Sequence, residues 1–421
     1  MITTRSLSNG IRIIMETMPQ VQSMAIGIMV RAGAVDEQAK HSGISHFVEH
    51  MMFKGTSNRN ARQIAGDIDK IGGQINAFTG KEMTCYYVKS IAKNYKKAAE
   101  VLVDMLENSI FEKTELDRER KVICEEIKMT KDAPDDLAHD TFVSNMFKGS
   151  NLGHSILGTP SSLSRITHNV MKEYVEKQYT RDSIVVSVSG NFDCDDVCDY
   201  FENNFQKLKA KKEALKWKNY KYSPFTKSQV KDIQQAHICL GTKGPTLQDE
   251  KFYDFQVLNN ILGGSMSSRL FQNIREQKGL AYSVYSSSGN FSKDGYFEIY
   301  AGVNQDKIGS AIEGIEEELE TLSKEPVSLE ELNSSKEQLK ASYVFSQENT
   351  SARMMVNGKN FILLNKVFHP EEVISGYDGV TVRSIDDIKD KICDFRNYSC
   401  SCVSNKKVDL RKLMVYLKTL K

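Results

Sequence analysis

Residues 46–50 read HFVEH, which places two histidines and a glutamate in an otherwise apolar segment. On a helix, His46 and His50 are one turn apart on the same face, so both imidazoles can bind one metal ion. Glu49 lies about 100° around the helix from His50, where its carboxylate can accept a proton from water without binding the metal. The pattern is the inverted zinc motif, and it predicts a hydrolytic metal site.

A third ligand is expected from the helix predicted over residues 114–130. One stripe of this helix contains two carboxylates among apolar residues, at Leu116, Glu119, Ile123 and Glu126. Glu125 faces basic residues and is explained as a solvated ion-pairing residue. We therefore assign Glu126 to the metal and Glu119 to a supporting position, where it orients a histidine ligand.

A buried helix whose histidines bond to the backbone is the simpler alternative. It leaves ionisable side chains without a partner in an apolar segment, which is costly, whereas a divalent cation would satisfy them together. Two histidines and one glutamate leave one zinc position open for water, and Glu49 can pass that water's proton to a leaving amine. The residues thus predict a zinc-dependent endopeptidase with one Zn²⁺ per chain. A purely structural zinc site would need a fourth protein ligand.

The elements that must position these residues alternate between strands and helices. Strands are predicted at residues 11–15, 24–30 and 184–188, and a helix at 61–71. Residues 94–127 and 306–343 show the same sequence of helix, break and helix, which indicates a duplicated chain. In this alignment Glu126 corresponds to a serine of the second repeat, so only the first repeat should bind metal.

A chain of 421 residues exceeds the usual size of one hydrophobic core, which favours two domains. We predict a catalytic zinc-binding domain over 1–206, a lysine-rich linker over 207–229, and a homologous domain without metal over 230–421. The predicted fold class is α+β, with two homologous domains of the α/β-sandwich type. Each would contain a mixed, largely antiparallel sheet covered by helices.

The composition excludes several classes of partner. A net charge of +1 provides no overall field for nucleic acid or an anionic membrane. No apolar run approaches the roughly 20 residues of a membrane span, and no signal peptide is apparent. Eight scattered cysteines predict free thiols in a reducing compartment. We therefore expect a cytoplasmic protein with no nucleic-acid or membrane partner.

The HFVEH motif followed by Glu126 resembles the insulinase/pitrilysin family of zinc metallopeptidases, especially its branch similar to the mitochondrial processing peptidase. FKGT at 53–56, NAFT at 76–79 and ILGT at 156–159 extend the resemblance along the chain. It implies the same ligands, base and supporting glutamate. It also implies that Asn76, Ala77 and Phe78 form a sheet edge to which an extended peptide substrate adds as a strand.

The segment from 267 to 284 resembles the family's substrate-binding segment, with Arg275 and Tyr282 in the conserved places. An arginine can donate to a peptide carbonyl, and a tyrosine hydroxyl can stabilise a tetrahedral oxyanion. The resemblance further implies a clam-like chamber of four domains, which a homodimer of this chain would complete with sites formed in trans. The alternative is a non-catalytic peptide-binding or scaffold homologue of the same fold.

Overall fold

The computed structural model describes residues 1–211 and 220–419. The strands in these residues are β1 (Ile2–Ser6), β2 (Arg12–Thr17), β3 (Ser23–Val30), β4 (Gln74–Thr79), β5 (Thr84–Ile91), β6 (Ile184–Gly190), β7 (Thr226–Val230), β8 (Gln235–Lys243), β9 (Ala281–Asn290), β10 (Gly295–Asn304) and β11 (Ser399–Ser404). The α-helices are α1 (Ile44–Met52), α2 (Ala61–Lys70), α3 (Tyr95–Asn108), α4 (Lys113–Asp132), α5 (Pro134–Met146), α6 (Pro160–Leu163), α7 (His168–Gln178), α8 (Cys194–Asn204), α9 (Phe252–Asn259), α10 (Ile308–Lys324), α11 (Leu329–Gln347), α12 (Thr350–Leu364), α13 (Pro370–Asp378), α14 (Val382–Cys393) and α15 (Leu410–Thr419). Two π-helical segments follow α9, at Asn260–Gly264 and Phe271–Gln277.

The first compact unit contains residues 1–128, the described part of 150–218, and 344–369. Its sheet has the order β1-β2-β6-β3-β5-β4, in which β2 and β6 are parallel and the other neighbours are antiparallel. β4 forms one edge and pairs with β5. The core against one face of this sheet includes apolar side chains of α1, α3 and α4. The elements that carry the predicted metal ligands therefore share one core.

Helix α12 packs on β3 and β6 of the same unit. Two glycines permit this close approach. A Cβ at Gly27 would lie 2.2 Å from the Met354 sulfur, and one at Gly358 would lie 2.5 Å from the terminal carbon of Met29. A Cβ at Gly358 would also lie 2.9 Å from the Ser187 Cβ, which cannot move aside as the end of a methionine can, so the packing restricts Gly358 more than Gly27.

The second unit contains residues 129–149 and the described parts of 219–343 and 370–421. Its sheet has the order β7-β11-β8-β10-β9, with β7 and β11 parallel and the others antiparallel. A core that includes side chains of α9, α10 and α14 covers one face, whereas α5 packs on β8 and β11. Side chains alternate between the two faces along each strand, so α5 and the apolar core contact different residues of the sheet.

Two sheets with covering helices confirm the predicted α+β class. The order β2-β6-β3-β5-β4 in the first sheet corresponds to β7-β11-β8-β10-β9 in the second. The two units also exchange helices. Helix α5 lies between segments of the first unit in sequence but belongs to the second unit, and α12 lies between segments of the second unit in sequence but belongs to the first. The domain boundaries expected from the sequence, after residue 206 and before residue 230, remain predictions. Of the predicted linker, residues 212–219 lie outside the described residues, and residues 226–230 form β7.

All eight cysteines are free thiols, as predicted. Among the described residues, no helix combines the length and the apolar character needed to cross a membrane.

Candidate metal centre

The start of α1 is held by the buried carboxyl group of Glu37. Gly43 has a left-handed φ of 93°, and the backbone N–H groups of Gly43 and Ser45 donate to Glu37 at 2.8 and 2.9 Å. A Cβ at Gly43 would lie 2.7 Å from the Leu157 carbonyl oxygen, so glycine is required both by the conformation and by the space. Burial raises the pKa of Glu37 to about 8. These contacts fix the first turn of the helix that carries the histidines.

The structure brings His46, His50 and Glu126 together, with one possible ligand atom from each within 4.8 Å of the others. The Nε2 atom of His46 lies 3.8 Å from Glu126 Oε2, and that of His50 lies 3.6 Å from Glu126 Oε1. A tetrahedral zinc ion with bonds of about 2.1 Å separates its ligand atoms by about 3.4 Å. The donor set and its spacing therefore fit a zinc ion with little movement of the side chains.

Electrostatics favour the metal-binding form of His46. Burial, and secondarily the charge of His50, lower the pKa of His46 to about 4. The imidazole is consequently neutral near pH 7, and a neutral imidazole is the form that binds metals. The buried Nδ1 atom of His46 has no hydrogen-bond partner among the described residues.

His50, in contrast, is supported by a second carboxylate of α4. Its Nδ1 atom lies 3.0 Å from Glu119 Oε2, and the other Glu119 oxygen accepts from Lys54 Nζ at 2.8 Å. The Glu119 side chain is 8% exposed. When Nδ1 carries the proton and donates to Glu119, Nε2 is left free on the side of Glu126, which is the arrangement of a metal ligand supported from behind.

Glu49 is held beside this cluster by a residue of β4, the strand for which the sequence predicted only substrate binding. Its carboxylate accepts a hydrogen bond from the Thr79 hydroxyl at the end of β4. Burial raises the pKa of Glu49, opposed by the Thr79 bond and the His50 charge, while the Glu126 charge adds to the increase. A carboxyl with a raised pKa is a better proton acceptor than an ordinary glutamate. Thr79 could have been suspected only from its place in the NAFT segment.

The predicted substrate strand lies in β4, at the edge of the first sheet. The structure places Asn76, Ala77 and Phe78 there, and the Phe78 ring is exposed. The Ala77 N–H donates to the side-chain oxygen of Asn76 at 2.8 Å. An edge strand has unpaired backbone groups along its free side and can accept another strand there. Substrate binding at this edge stays a prediction.

Arg275 and Tyr282 meet in the second unit. Arg275 lies in the π-helical segment Phe271–Gln277 and Tyr282 in the edge strand β9. The Arg275 guanidinium carbon is 5.7 Å from the centroid of the Tyr282 ring and 4.6 Å from that of Phe271. Tyr282 is 72% exposed, so its hydroxyl is available to a ligand. The proposed substrate-binding role of both residues is untested.

Comparisons with known proteins identify the family. Residues 12–160 match the model described as insulinase, peptidase family M16, and residues 165–339 match the model of the peptidase M16 inactive domain. The chain belongs to the M16 family. This confirms the resemblance to insulinase and pitrilysin. The matched inactive-domain model covers much of the half for which no metal ligands were predicted.

Relatives of this M16 protein cover nearly its whole length. The uncharacterized zinc protease YmxG of Bacillus subtilis is 42% identical over 385 residues, 91% of this chain and 94% of that protein. An uncharacterized zinc protease of Rickettsia felis is 37% identical over 387 residues, 92% of this chain and 93% of that protein. A protease of Helicobacter pylori has a TM-score of 0.89 at 21% identity and covers 96% of this chain and 99% of its own. A peptidase M16 inactive domain of Pseudomonas fluorescens has a TM-score of 0.89 at 17% identity and covers 96% of this chain and 98% of its own. At these identities the two structures establish the fold alone.

Proposed function

We propose that this M16 protein is a zinc-dependent endopeptidase that cleaves unfolded peptides or short polypeptides. The observation that carries the proposal is the convergence of the two imidazole Nε2 atoms on the Glu126 carboxylate. Glu49 lies beside these three residues but is not one of the possible ligands, and its carboxylate accepts a hydrogen bond from Thr79 instead. The names of the relatives support zinc and proteolysis.

In this mechanism His46, His50 and Glu126 hold the ion, which when bound makes water more acidic and polarises the peptide carbonyl. Glu49 accepts the proton of the attacking water and then delivers it to the leaving amine. Thr79 keeps the Glu49 carboxylate in place through its hydroxyl. Burial of Glu49 raises its pKa, which strengthens it as a base and makes its conjugate acid available for the second transfer.

The substrate would pair with β4 as an additional strand. Asn76, Ala77 and Phe78 provide backbone groups at this edge, and β4 ends at Thr79, the residue that contacts Glu49. Pairing along β4 would therefore lead the peptide backbone to the base. Since backbone pairing tolerates many side chains, we expect a loose sequence preference and a requirement for an unfolded substrate.

A second copy of the chain would complete the site. We infer, from fold analogy with longer relatives of four domains, that Arg275 and Tyr282 of one protomer serve the zinc site of its partner in a homodimer. The exposed Tyr282 hydroxyl could donate to the oxyanion, and Arg275, stacked on its ring, to a substrate carbonyl. The eight free thiols favour a reducing compartment, and we propose the cytoplasm.

Glu49→Gln tests the division of roles between base and ligands. The variant should retain zinc, because Glu49 is not a ligand, and should lose at least about 100-fold in turnover, because only proton transfer is removed. Zinc content is measured by mass spectrometry and turnover with a mixed peptide library. Glu125→Gln, an exposed substitution of the same kind, is the control. Loss of zinc in Glu49→Gln would refute the assignment, and a wild-type protein that binds peptides without cleaving them would favour the scaffold alternative.

A further inference from the structure

A second group of possible metal ligands lies within the second unit, away from any residue used above. It consists of His139 on α5, Cys239 on β8 and Glu298 on β10, with one ligand atom of each within 4.8 Å of the others. In the register of β8 and β10, Gly241 is opposite Glu298 and Cys239 is opposite Tyr300. Cys239 and Glu298 are thus diagonal neighbours on one face of the sheet. Helix α5 packs on β8 and brings His139 to them.

The carboxylate of this group is buried and only partly satisfied. Glu298 is 2% exposed, and its Oε1 atom has no hydrogen-bond partner among the described residues. Its Oε2 atom lies 3.0 Å from His139 Nδ1. The Cys239 sulfur, also buried, lies 3.7 Å from the same nitrogen. A buried carboxylate oxygen without a donor is unfavourable, and a cation bound between oxygen, sulfur and nitrogen would satisfy it.

The environment of His139 orients it as a ligand. Its Nε2 atom lies 3.1 Å from the Tyr285 hydroxyl, and its ring stacks on Tyr300 with centroids 5.0 Å apart. If the Tyr285 oxygen accepts the Nε2 proton, Nδ1 presents its lone pair to Cys239 and Glu298. A histidine ligand is typically fixed in this way, by a hydrogen bond from the nitrogen that does not bind the metal.

We propose that His139, Cys239 and Glu298 bind a second divalent metal ion, of the zinc and cobalt class. The combination of thiolate, imidazole and carboxylate suits these metals and disfavours Mg²⁺ and Ca²⁺, which prefer oxygen ligands alone. The ion would join α5, which precedes the second sheet in sequence, to two strands of that sheet. With Glu298 binding through both carboxylate oxygens, including the unpartnered Oε1, the group would supply the four ligand atoms that a structural site needs. The ion would then secure this exchanged helix, since metal binding adds directly to the stability of the region that supplies the ligands.

Cobalt titration of the metal-free, full-length protein tests the proposal independently of activity. A cobalt–thiolate bond gives a charge-transfer absorption in the ultraviolet, and the first site contains no sulfur ligand. We expect this absorption in the wild type and in Glu126→Gln. It should disappear in Cys239→Ala and persist in Cys400→Ala, whose cysteine is equally buried on the neighbouring strand β11. Zinc-loaded Cys239→Ala should contain one metal equivalent fewer than Cys400→Ala.

Absence of the absorption in the wild type would overturn the proposal and identify His139 and Glu298 as an ion pair only. Its persistence in Cys239→Ala would assign it to another thiol, with the same consequence. If Cys239→Ala does not fold, His139→Gln decides the question, because it retains the thiol and removes the nitrogen ligand. His139→Gln should bind cobalt at this site at least about tenfold more weakly, and unchanged affinity would refute the site.

Discussion

Glu119→Gln perturbs the predicted zinc site without removing a ligand. The Glu119 carboxylate lies 3.0 Å from His50 Nδ1 and is 8% exposed, so solvent screens this contact little. A hydrogen bond to a charged group contributes about 1.5–3 kcal/mol and a neutral one about 0.5–1.5 kcal/mol. The glutamine oxygen can still accept from His50, so the change should cost about 1.4 kcal/mol, a tenfold loss of zinc affinity. Glu126→Gln, which replaces a ligand, should lose more.

The assay is competition for zinc against a chromophoric chelator, carried out in a Cys239→Ala background so that only the first site is titrated. Glu125→Gln is the matched control, because it makes the same change of charge on the same helix, at a side chain that is 67% exposed and pairs with Lys128. Zinc affinity of the control should equal that of the parent protein. Equal losses in Glu119→Gln and Glu125→Gln would show a general charge effect and refute the specific support of His50.

Two further predictions concern assembly and pH. Glu49→Gln and Tyr282→Phe should each be inactive alone. After confirmed subunit exchange, a mixture of the two should regain activity, because one of the two sites in each heterodimer is intact. A mixture that stays inactive would place both residues in the site of one chain. The pKa of Glu37 is about 8 in the folded protein and about 4.3 in the unfolded chain. Between these two pH values the folded state holds one proton more than the unfolded state, so the free energy of unfolding falls as the pH rises from about 4.3 to about 8. In urea denaturation of the metal-free protein, Glu37→Gln should therefore lose less free energy of unfolding between about pH 5 and pH 8 than the wild type. Parallel curves would contradict this assignment.

Local periodicity explains why much of the first site could be predicted. The spacing of His46 and His50 follows from one turn of helix, and Glu119 and Glu126 share a stripe of α4 with apolar residues that face the core. The structure accordingly brings these side chains together. The strands were also readable, because runs of buried apolar residues such as those of β6 have a short-range signature.

Several contacts that the sequence did not reveal join residues far apart in the chain. Thr79 reaches Glu49 from a different element, and His139 meets Glu298 across 159 positions of the chain. The exchange of α5 and α12 between the units has no local signature, because an amphipathic helix does not specify which sheet it covers.

The most direct test of the account is peptide hydrolysis by the wild-type protein with and without zinc. A mixed library of unstructured peptides is incubated with the protein as purified, after removal of metal by a chelator, and after return of Zn²⁺, and the products are identified by mass spectrometry. The account predicts cleavage within the peptides, its loss on chelation and its return with zinc, at bonds of varied sequence. Metal analysis must show that the chelator has removed the zinc. Hydrolysis at an undiminished rate by this zinc-free protein would contradict the central claim.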